Sequence, residues 1–146
     1  MNILFVCKHN VFRSKMAEAY FKKINKNKKI KIASAGIIKP DILNRTQKNI
    51  IKFQRKTARG FGIEIKDNAN QMSLSLLKKQ DLIIVVADNI PEKMFKDFYT
   101  KPTLKIVKWK IPDAKGDKND VFLIKEDIKR IIKKVDSLVK QLEKER

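Results

Sequence analysis

The chain has 146 residues, of which 42% are hydrophobic, and this is enough to form the core of one domain and argues against a disordered protein. The 35 Lys and Arg residues outnumber the 16 Asp and Glu residues and give a formal net charge of +19, while no apolar run approaches the ~20 residues needed to cross a membrane. A single cysteine excludes an internal disulfide framework and a structural zinc site built on cysteines. We therefore expect one domain over residues 1–146, in the reducing environment of the cytoplasm and without membrane association.

The first stretch of the chain is predicted to form a strand, a loop and a helix in direct succession. The unbroken apolar run Ile3–Val6 is typical of a strand that is buried on both faces. From Ser14 onward, apolar residues recur at the three- and four-residue spacing of a helix face, namely Met16, Ala17, Tyr20, Phe21 and Ile24. Between these two elements, Cys7 and Arg13 are separated by five residues. The pattern therefore predicts a Cys-x5-Arg-Ser loop that turns the chain back over the sheet.

Such a loop suits the binding of an oxyanion next to a reactive thiol. The free backbone N–H groups and the positive dipole end at a helix start favour bound phosphate, and the same field lowers the pKa of a nearby thiol. The planar fork of Arg13 can hold two oxygens of a phosphoryl group at once, and Ser14 can either cap the helix or donate a hydrogen bond to the thiolate of Cys7. A buried structural cysteine is the alternative, since the spacing alone occurs often by chance. The strand before the loop and the helix after it favour the catalytic interpretation.

Strands and helices alternate through the rest of the chain. The predicted strands are Ile30–Ala33, which ends in Ser34-Ala35-Gly36, then Asp81–Ala87 and Thr103–Lys108, with a short strand or extended link at Ile63–Ile65. Pro40-Asp41 is predicted to be a turn or a helix start, and the helix after it includes Ile50–Phe53. The other predicted helices begin at Met72 or Ser73 and at Pro91, and the last one covers Phe122–Leu142. This alternation predicts the α/β class, as a single three-layer domain whose parallel sheet of about four strands has helices on both faces. Ligands of such sheets bind at the carboxyl ends of the strands, where Cys7 is expected.

The segment Val-Cys-x-x-Asn-x-x-Arg-Ser-x-Met-Ala-Glu-Ala at the first loop resembles the signature of the low-molecular-weight protein tyrosine phosphatases and the related arsenate reductases. Weaker counterparts of that family are Ser34–Gly36, Gly62–Ile65, Asp81–Ala87 and Trp109–Asp113, so the resemblance extends over nearly the whole chain. It implies a catalytic cysteine at Cys7, phosphate binding by Arg13, and a loop that binds the substrate through Lys8, His9, Asn10, Val11, Phe12 and Ser14. It also implies that Asn10 shapes the loop in a left-handed conformation and that Ser14 supports the thiolate. Ile37 and Ile38, which follow Gly36, are expected either to wall the substrate crevice or to pack in the core.

A phosphoryl-transfer cysteine also needs a proton donor for the leaving oxygen. The resemblance assigns this role to Asp113, although Ala114 stands where the family usually has a proline. Asp117 is the reserve candidate, and either residue could instead be a turn-forming aspartate beside Gly116. The aromatic residues that the family carries just after this aspartate are replaced by Ala114 and Lys115, which weakens the case for phosphotyrosine in particular.

These observations favour a low-molecular-weight protein-tyrosine-phosphatase-like hydrolase that acts on a phosphorylated protein or a small phosphomonoester through a phosphocysteine intermediate. We expect inorganic oxyanions such as phosphate, vanadate and arsenate to bind the same loop, and we expect no cofactor. The lone His9 has no partner set for a metal, so no metal is expected either.

Two other functions stay open at this point. The first is an arsenate reductase that uses an external thiol, since both reactions begin with Cys7 attacking an oxyanion. His9 is shared with that branch, but Ala87 and Met94 stand nearest to where thioredoxin-coupled reductases carry two more cysteines. Phe12 stands where many phosphatases of the family have a second loop cysteine, so a protective disulfide cannot form. The second alternative is a non-catalytic protein that binds phosphate or polyanions.

The basic surface raises the question of nucleic acid. Most cations are lysines scattered along the chain, without an arginine patch interleaved with aromatic residues or a recognisable nucleic-acid module. A solvated, lysine-rich surface therefore explains the charge, and any nucleic-acid binding is expected to be nonspecific and to weaken steeply with salt.

Overall fold

Four parallel strands form one sheet, in the order β2-β1-β3-β4. The computed structural model describes residues 1–38, 43–96, 101–114 and 120–145. Its elements are β1 (Asn2–Cys7), α1 (Arg13–Ile24), β2 (Lys31–Gly36), α2 (Arg45–Gly60), α3 (Leu74–Lys78), β3 (Leu82–Val86), α4 (Lys93–Lys96), β4 (Lys105–Trp109) and α5 (Asp120–Lys144). The predicted α/β fold with a four-stranded parallel sheet is confirmed.

The two apolar runs Ile3–Val6 and Leu82–Val86 occupy the middle of the sheet, in β1 and β3. In β1 and β3 the side chains that point to each face are buried, because helices cover both faces. The register places Cys7 opposite Gly36 of β2, and Val86 of β3 opposite Trp109 of β4. Since all strands are parallel, their carboxyl ends meet at one edge of the sheet, and the first loop lies there.

Two hydrophobic clusters, one on each face of the sheet, complete the three layers. The larger cluster joins β1 to α1 and α5, and Phe5 lies at its centre with its ring 6.2 Å from that of Phe21 and 5.7 Å from that of Trp109. The smaller cluster packs Leu77 of α3 and Phe95 of α4 against the opposite face. These contacts hold the strand ends, and therefore the loop after β1, in fixed positions.

Several element boundaries differ from the sequence predictions. Helix α2 begins after a capping box, in which the Asn44 side chain accepts from the Gln47 backbone and the Gln47 side chain accepts from the Asn44 backbone. The predicted start at residues 40–41 lies outside the described residues. The prediction that Pro91 begins α4 is wrong by two residues, and α5 extends two residues beyond the predicted range at each end. Residues 63–65 form the extended link rather than a strand.

In the parts of the chain that the structure describes, no helix combines the length and apolar character needed to cross a membrane.

Candidate active site

The loop between β1 and α1 curls around the thiol of Cys7. Cys7 is the last residue of β1 and is only 2% exposed. Asn10 adopts the left-handed conformation, with φ of 56°, which asparagine tolerates better than most residues. The turn brings the backbone N–H of Asn10 to 3.3 Å from Cys7 Sγ. The loop-shaping conformation that the resemblance implied for Asn10 is present.

The amide side chain of Asn10 has a fixed orientation. Its Oδ1 accepts a hydrogen bond of 2.8 Å from the backbone N–H of Asn70, so Nδ2 is the donor end. Nδ2 then donates to Ser14 Oγ at 2.7 Å and to Ser34 Oγ at 2.9 Å. Since the Ser14 oxygen already accepts, its hydroxyl proton is available for Cys7 Sγ at 2.9 Å. Ser14 therefore contacts the thiol rather than capping α1, whose N-cap Phe12 has no side-chain cap.

The same network continues away from the thiol to a carboxylate. Ser34 Oγ donates to Glu18 Oε1 at 2.6 Å, and Glu18 also accepts from Lys22 Nζ at 2.8 Å. A carboxylate can only accept, so the direction of the hydrogen bonds is set at this end as well. Buried networks whose members are all satisfied make a structure rigid. The loop is therefore held by side chains from α1 and β2 and not by its own backbone alone.

Gly36 allows β2 to approach the loop closely. A Cβ at this position would lie 2.5 Å from the carbonyl carbon of His9 and 2.7 Å from the backbone N of Asn10. The backbone N–H of Gly36 donates to Asn70 and its carbonyl accepts from Met72, so the glycine lies between the loop and a second segment of chain. The sequence predicted only a turn here, but the requirement is for close packing of backbone against backbone.

The guanidinium of Arg13 lies beside the thiol loop and is nearly buried. The residue is 4% exposed, and Nη1 donates to the carbonyl oxygen of Ile111 at 2.9 Å. Two carboxylates flank it, with Asp88 Oδ1 3.9 Å from Nη1 and Asp113 Oδ2 3.7 Å from Nη2. The side chains of Asp88 and Asp113 are 46% and 42% exposed, so both can reach a ligand that enters from solvent.

The structure therefore places Asp113 beside Arg13, and its role as the general acid stays a prediction. The competing candidate Asp117 lies outside the described residues. Asp88 was not predicted, although its place two residues after the end of β3 in a parallel sheet is a signal that could have found it. Its backbone N–H donates to the same Ile111 carbonyl that Arg13 contacts.

A narrow crevice opens above the thiol. It is lined by Cys7, His9, Val11, Phe12, Arg13, Leu43, Gln47, Ile50, Ile51, Gln54, Asp113 and Ala114. Helix α2 thus supplies one wall, which the sequence did not predict. Ile37, one of the two residues considered for that wall, instead packs on the smaller hydrophobic cluster.

The six loop residues that were predicted to bind substrate take different positions. His9, Val11 and Phe12 line the crevice, whereas Asn10 and Ser14 are buried beneath it and contact the thiol. Lys8 is half-buried and its carbonyl accepts from the backbone of Ile38. The side chains thus divide into a group that faces a ligand and a group that holds the loop.

Three titratable groups around the loop have altered proton affinities. Burial, with a further contribution from Lys8, lowers the pKa of His9, so the imidazole is neutral at pH 7. Burial also lowers the pKa of Lys15, whose Nζ donates to Asn68 Oδ1 at 3.4 Å. In α5, burial raises the pKa of Asp127 to about 7, even though Arg130 and Arg13 favour its charged form. Asp127 is 1% exposed, and no sequence pattern associates it with the site.

Within the described ranges, no group of three or more His, Cys, Asp and Glu side chains is arranged to hold a metal ion.

The fold and the loop together define a class of protein, an α/β protein with a Cys-x5-Arg oxyanion loop at the carboxyl edge of a parallel sheet. The family model described as low molecular weight phosphotyrosine protein phosphatase matches residues 2–146, and the chain belongs to this family. Members of the family are hydrolases. The predicted family and the prediction of a phosphatase-type enzyme are confirmed.

Solved structures of several activities are similar to the chain. An arsenate reductase from Archaeoglobus fulgidus is 26% identical with a TM-score of 0.63, and the match covers 94% of this chain and 98% of that one. A low molecular weight protein tyrosine phosphatase from T. tengcongensis is 23% identical with a TM-score of 0.69, over 97% of this chain and 99% of that one. The Drosophila arginine phosphatase is 18% identical with a TM-score of 0.73, over 97% and 98% of the two chains. None of the curated proteins compared with the chain matches it.

Proposed function

We propose that the protein hydrolyses phosphomonoesters through a phosphocysteine intermediate, with Cys7 as the nucleophile. The observation that supports this most is the environment of the sulfur, which accepts from the Asn10 backbone N–H at 3.3 Å and lies 2.9 Å from the Ser14 hydroxyl. Both donors point at the sulfur, where they can hydrogen-bond the thiolate that is released when the phosphocysteine is hydrolysed. A purely structural cysteine would not need donors of this kind.

The reaction follows from the positions of three side chains. The Cys7 thiolate attacks phosphorus, the S–P bond forms and the ester P–O bond breaks. The leaving oxygen takes a proton from Asp113. Arg13, whose Nη1 is anchored on Ile111, presents its remaining N–H groups to the phosphoryl oxygens. Water then attacks the phosphocysteine and gives its proton to the Asp113 carboxylate, so that phosphate leaves and the thiolate returns.

The crevice walls indicate the substrate class. Val11, Ile50 and Ile51 provide apolar contact, while the amides of Gln47 and Gln54 provide hydrogen bonds. A phosphate on an aryl or apolar body fits such walls, either in a small phosphomonoester or in a phosphorylated side chain of a protein. The net charge of +19 would attract acidic substrates over a long range. A nucleophilic thiol must stay reduced, which is consistent with a cytoplasmic location.

Cys7→Ser tests covalent catalysis. The variant should lose turnover of an aryl phosphate while it still binds phosphate or vanadate, because the loop N–H groups and Arg13 remain. Turnover that survives this substitution would refute the phosphocysteine intermediate. Arg13→Lys keeps the charge but loses the planar fork, and we expect a strong loss of rate.

The dependence of the rate on the leaving group tests whether Asp113 is the general acid. Asp113→Asn should slow phosphoenzyme formation from phenyl phosphate by roughly a hundredfold or more, and the loss should shrink with a nitrophenyl ester that needs no proton. Asp88→Asn is the matched control, because Asp88 and Asp113 lie at similar distances from Arg13. If Asp88→Asn gave the same dependence on the leaving group, the effect would come from charge beside Arg13 and not from proton donation. If Asp117→Asn alone gave it, Asp117 would be the acid.

Arsenate reduction with an external thiol is the second candidate, and the similarity to the Archaeoglobus fulgidus arsenate reductase favours it. Cys7 would attack arsenate and displace a hydroxyl group, and external thiols would supply the two electrons, since the chain holds one cysteine. Arsenate-dependent oxidation of glutathione or thioredoxin, measured beside aryl phosphate hydrolysis, separates the two activities.

A further inference from the structure

A second concave surface lies along α5, on the face of the sheet away from α3 and α4. This groove of about 430 Å³ has a floor formed by Leu82 and Ile84 of β3 and by Val107 and Trp109 of β4. Ile84 and Val107 are register partners, so the floor is a continuous patch on one side of the sheet. Val107 is 42% exposed, which is unusual for an apolar residue that faces a covering helix. Helix α5 therefore leaves part of this sheet face uncovered.

The wall that α5 contributes is cationic. It consists of Arg130, Lys133, Lys134, Ser137, Leu138 and Gln141, and the groove lining contains no acidic residue. Among the described residues, neither Lys133 nor Lys134 has a carboxylate within 4 Å, and Arg130 reaches Asp127 only at 4.0 Å. Lys134 Nζ lies 6.0 Å from the centre of the Trp109 ring. Apolar floor and unneutralised positive charge thus occur in one cavity.

We propose that this groove binds a small amphiphilic anion, with an aliphatic or aryl body and a carboxylate, sulfonate or phosphate head. The three cations fall within five residues of α5, about 6 Å of helix, whereas the lining residues of α5 extend from 130 to 141, about 17 Å. The charge is therefore concentrated at one end, beside Trp109. When the anionic head of the ligand binds these cations, its apolar body lies along the groove floor toward Leu82.

Other occupants fit the groove less well. A membrane surface requires apolar side chains that protrude, but Ile84 and Trp109 are 1% and 6% exposed at the bottom of a cavity. An acidic peptide strand would call for cations along the whole length, and the lower half of the wall is Ser137, Leu138 and Gln141. Cations that only keep the protein in solution are not expected to surround an apolar groove floor.

Trp109 makes the proposal directly testable, because it is the only tryptophan in the chain. Its fluorescence should change saturably with decanoate, kept below the micelle concentration, in the presence of enough phosphate to occupy the catalytic loop. Decanol, decyltrimethylammonium and acetate are the comparison probes, and each lacks either the anionic head or the long tail. We expect decanoate to bind more tightly than all three. Equal binding of decanol or decyltrimethylammonium would overturn the role of the cations.

Substitutions then locate the site. Lys133→Gln combined with Lys134→Gln should weaken decanoate binding by roughly tenfold, and Val107→Glu should abolish it by placing a negative charge on the floor. Lys125→Gln is the matched control, since Lys125 is an exposed lysine of the same helix outside the groove. An equal loss of decanoate affinity in Lys125→Gln would show that the effect comes from the net charge of the protein and not from the groove.

Backbone amide NMR provides a second measurement that does not depend on the variants. Decanoate should shift the amide signals of β4 and the Trp109 indole. Shifts confined to the catalytic loop, or competition by phosphate, would assign the ligand to the crevice and refute the groove. Tight binding of an acidic peptide without any response to decanoate would also refute a small ligand. These outcomes do not depend on the proposed phosphatase activity, because Cys7→Ser should bind decanoate as the unsubstituted protein does.

Discussion

Asp127→Asn offers a stringent test of the electrostatics beneath the active site. Asp127 is buried in α5, and its Oδ1 has no hydrogen-bond partner among the described residues. The charged groups that act on it are Arg130 and Arg13, which favour the carboxylate, and Asp113 and Asp88, which oppose it. Burial dominates and raises its pKa from 3.8 to about 7. The folded protein therefore holds a proton on Asp127 that the unfolded chain releases at a lower pH.

The direction of the pH effect follows from this difference. With the folded pKa above the unfolded one, the favourable contribution is complete below about pH 4 and is lost as pH rises toward 7. A difference of about three pKa units corresponds to roughly 4 kcal/mol, which is an upper limit because Arg130 and local relaxation soften the penalty. We expect Asp127→Asn to gain about 2 to 4 kcal/mol relative to the unsubstituted protein between pH 4 and pH 8.

Urea unfolding of the two proteins at intervals from pH 4 to pH 8 measures this change. The relevant quantity is the slope of the difference in unfolding free energy against pH, because the asparagine amide adds a cost that does not vary with pH. Glu126→Gln, at a partly exposed position on the same helix, is the control for the loss of one negative charge from α5. A flat difference for Asp127→Asn across this range would refute the reasoning.

Three further outcomes are expected. Gly36→Ala should destabilise the protein by roughly 1 to 3 kcal/mol and impair phosphate binding, because the added Cβ would lie 2.5 Å from the carbonyl carbon of His9. Urea unfolding measures the loss of stability, and calorimetric titration measures phosphate binding. Gly60→Ala is the control and should be close to neutral, because nothing lies within 4 Å of the added Cβ. Tyr20→Phe should cost about 1 kcal/mol at pH 7, because it removes the 2.7 Å hydrogen bond from the Tyr20 hydroxyl to Asp136. The same hydrogen bond is the main reason why the pKa of Tyr20 rises to about 12, so the loss should be constant below pH 10 and shrink toward pH 12. A Tyr20→Phe variant as stable as the unsubstituted protein at pH 7 would contradict this. The pKa of His9, the only histidine, lies below 6.5 because of burial and neighbouring cations, and it should rise when a phosphate dianion binds beside the imidazole. NMR titration with and without phosphate measures this change. A titration that phosphate leaves unchanged would show that His9 does not lie beside the bound phosphate.

Much of the fold could be predicted because its strongest signals are local. The apolar runs Ile3–Val6 and Leu82–Val86 are too continuous for a half-exposed strand, and both lie in the centre of the sheet. The Cys7 to Arg13 spacing between a strand and a helix was likewise a local pattern. Helix ends were less certain, because the capping box at Asn44 is a short signal inside a polar stretch.

The rest of the site depends on contacts between distant parts of the chain. Asn70 is 60 residues from Asn10 and fixes its amide, yet nothing around Asn70 distinguishes it from other polar link residues. Asp127 is one acidic residue among several in α5, and only the packing of that helix buries it near Arg13. The crevice wall formed by Ile50 and Ile51 follows from where α2 docks, which sequence periodicity does not determine.

The one-way hydrogen-bond chain from Asn10 to Ser14 and Ser34 also has a thermodynamic consequence. Since each hydroxyl has only one available orientation, the loop keeps little rotational entropy to lose when an oxyanion arrives. Binding should therefore resemble the filling of a rigid receptor, with association close to the diffusion limit and with affinity differences among oxyanions expressed in their dissociation rates. In variants that remove the hydrogen bonds of the Asn10 amide, the differences in affinity among oxyanions should appear in their association rates instead.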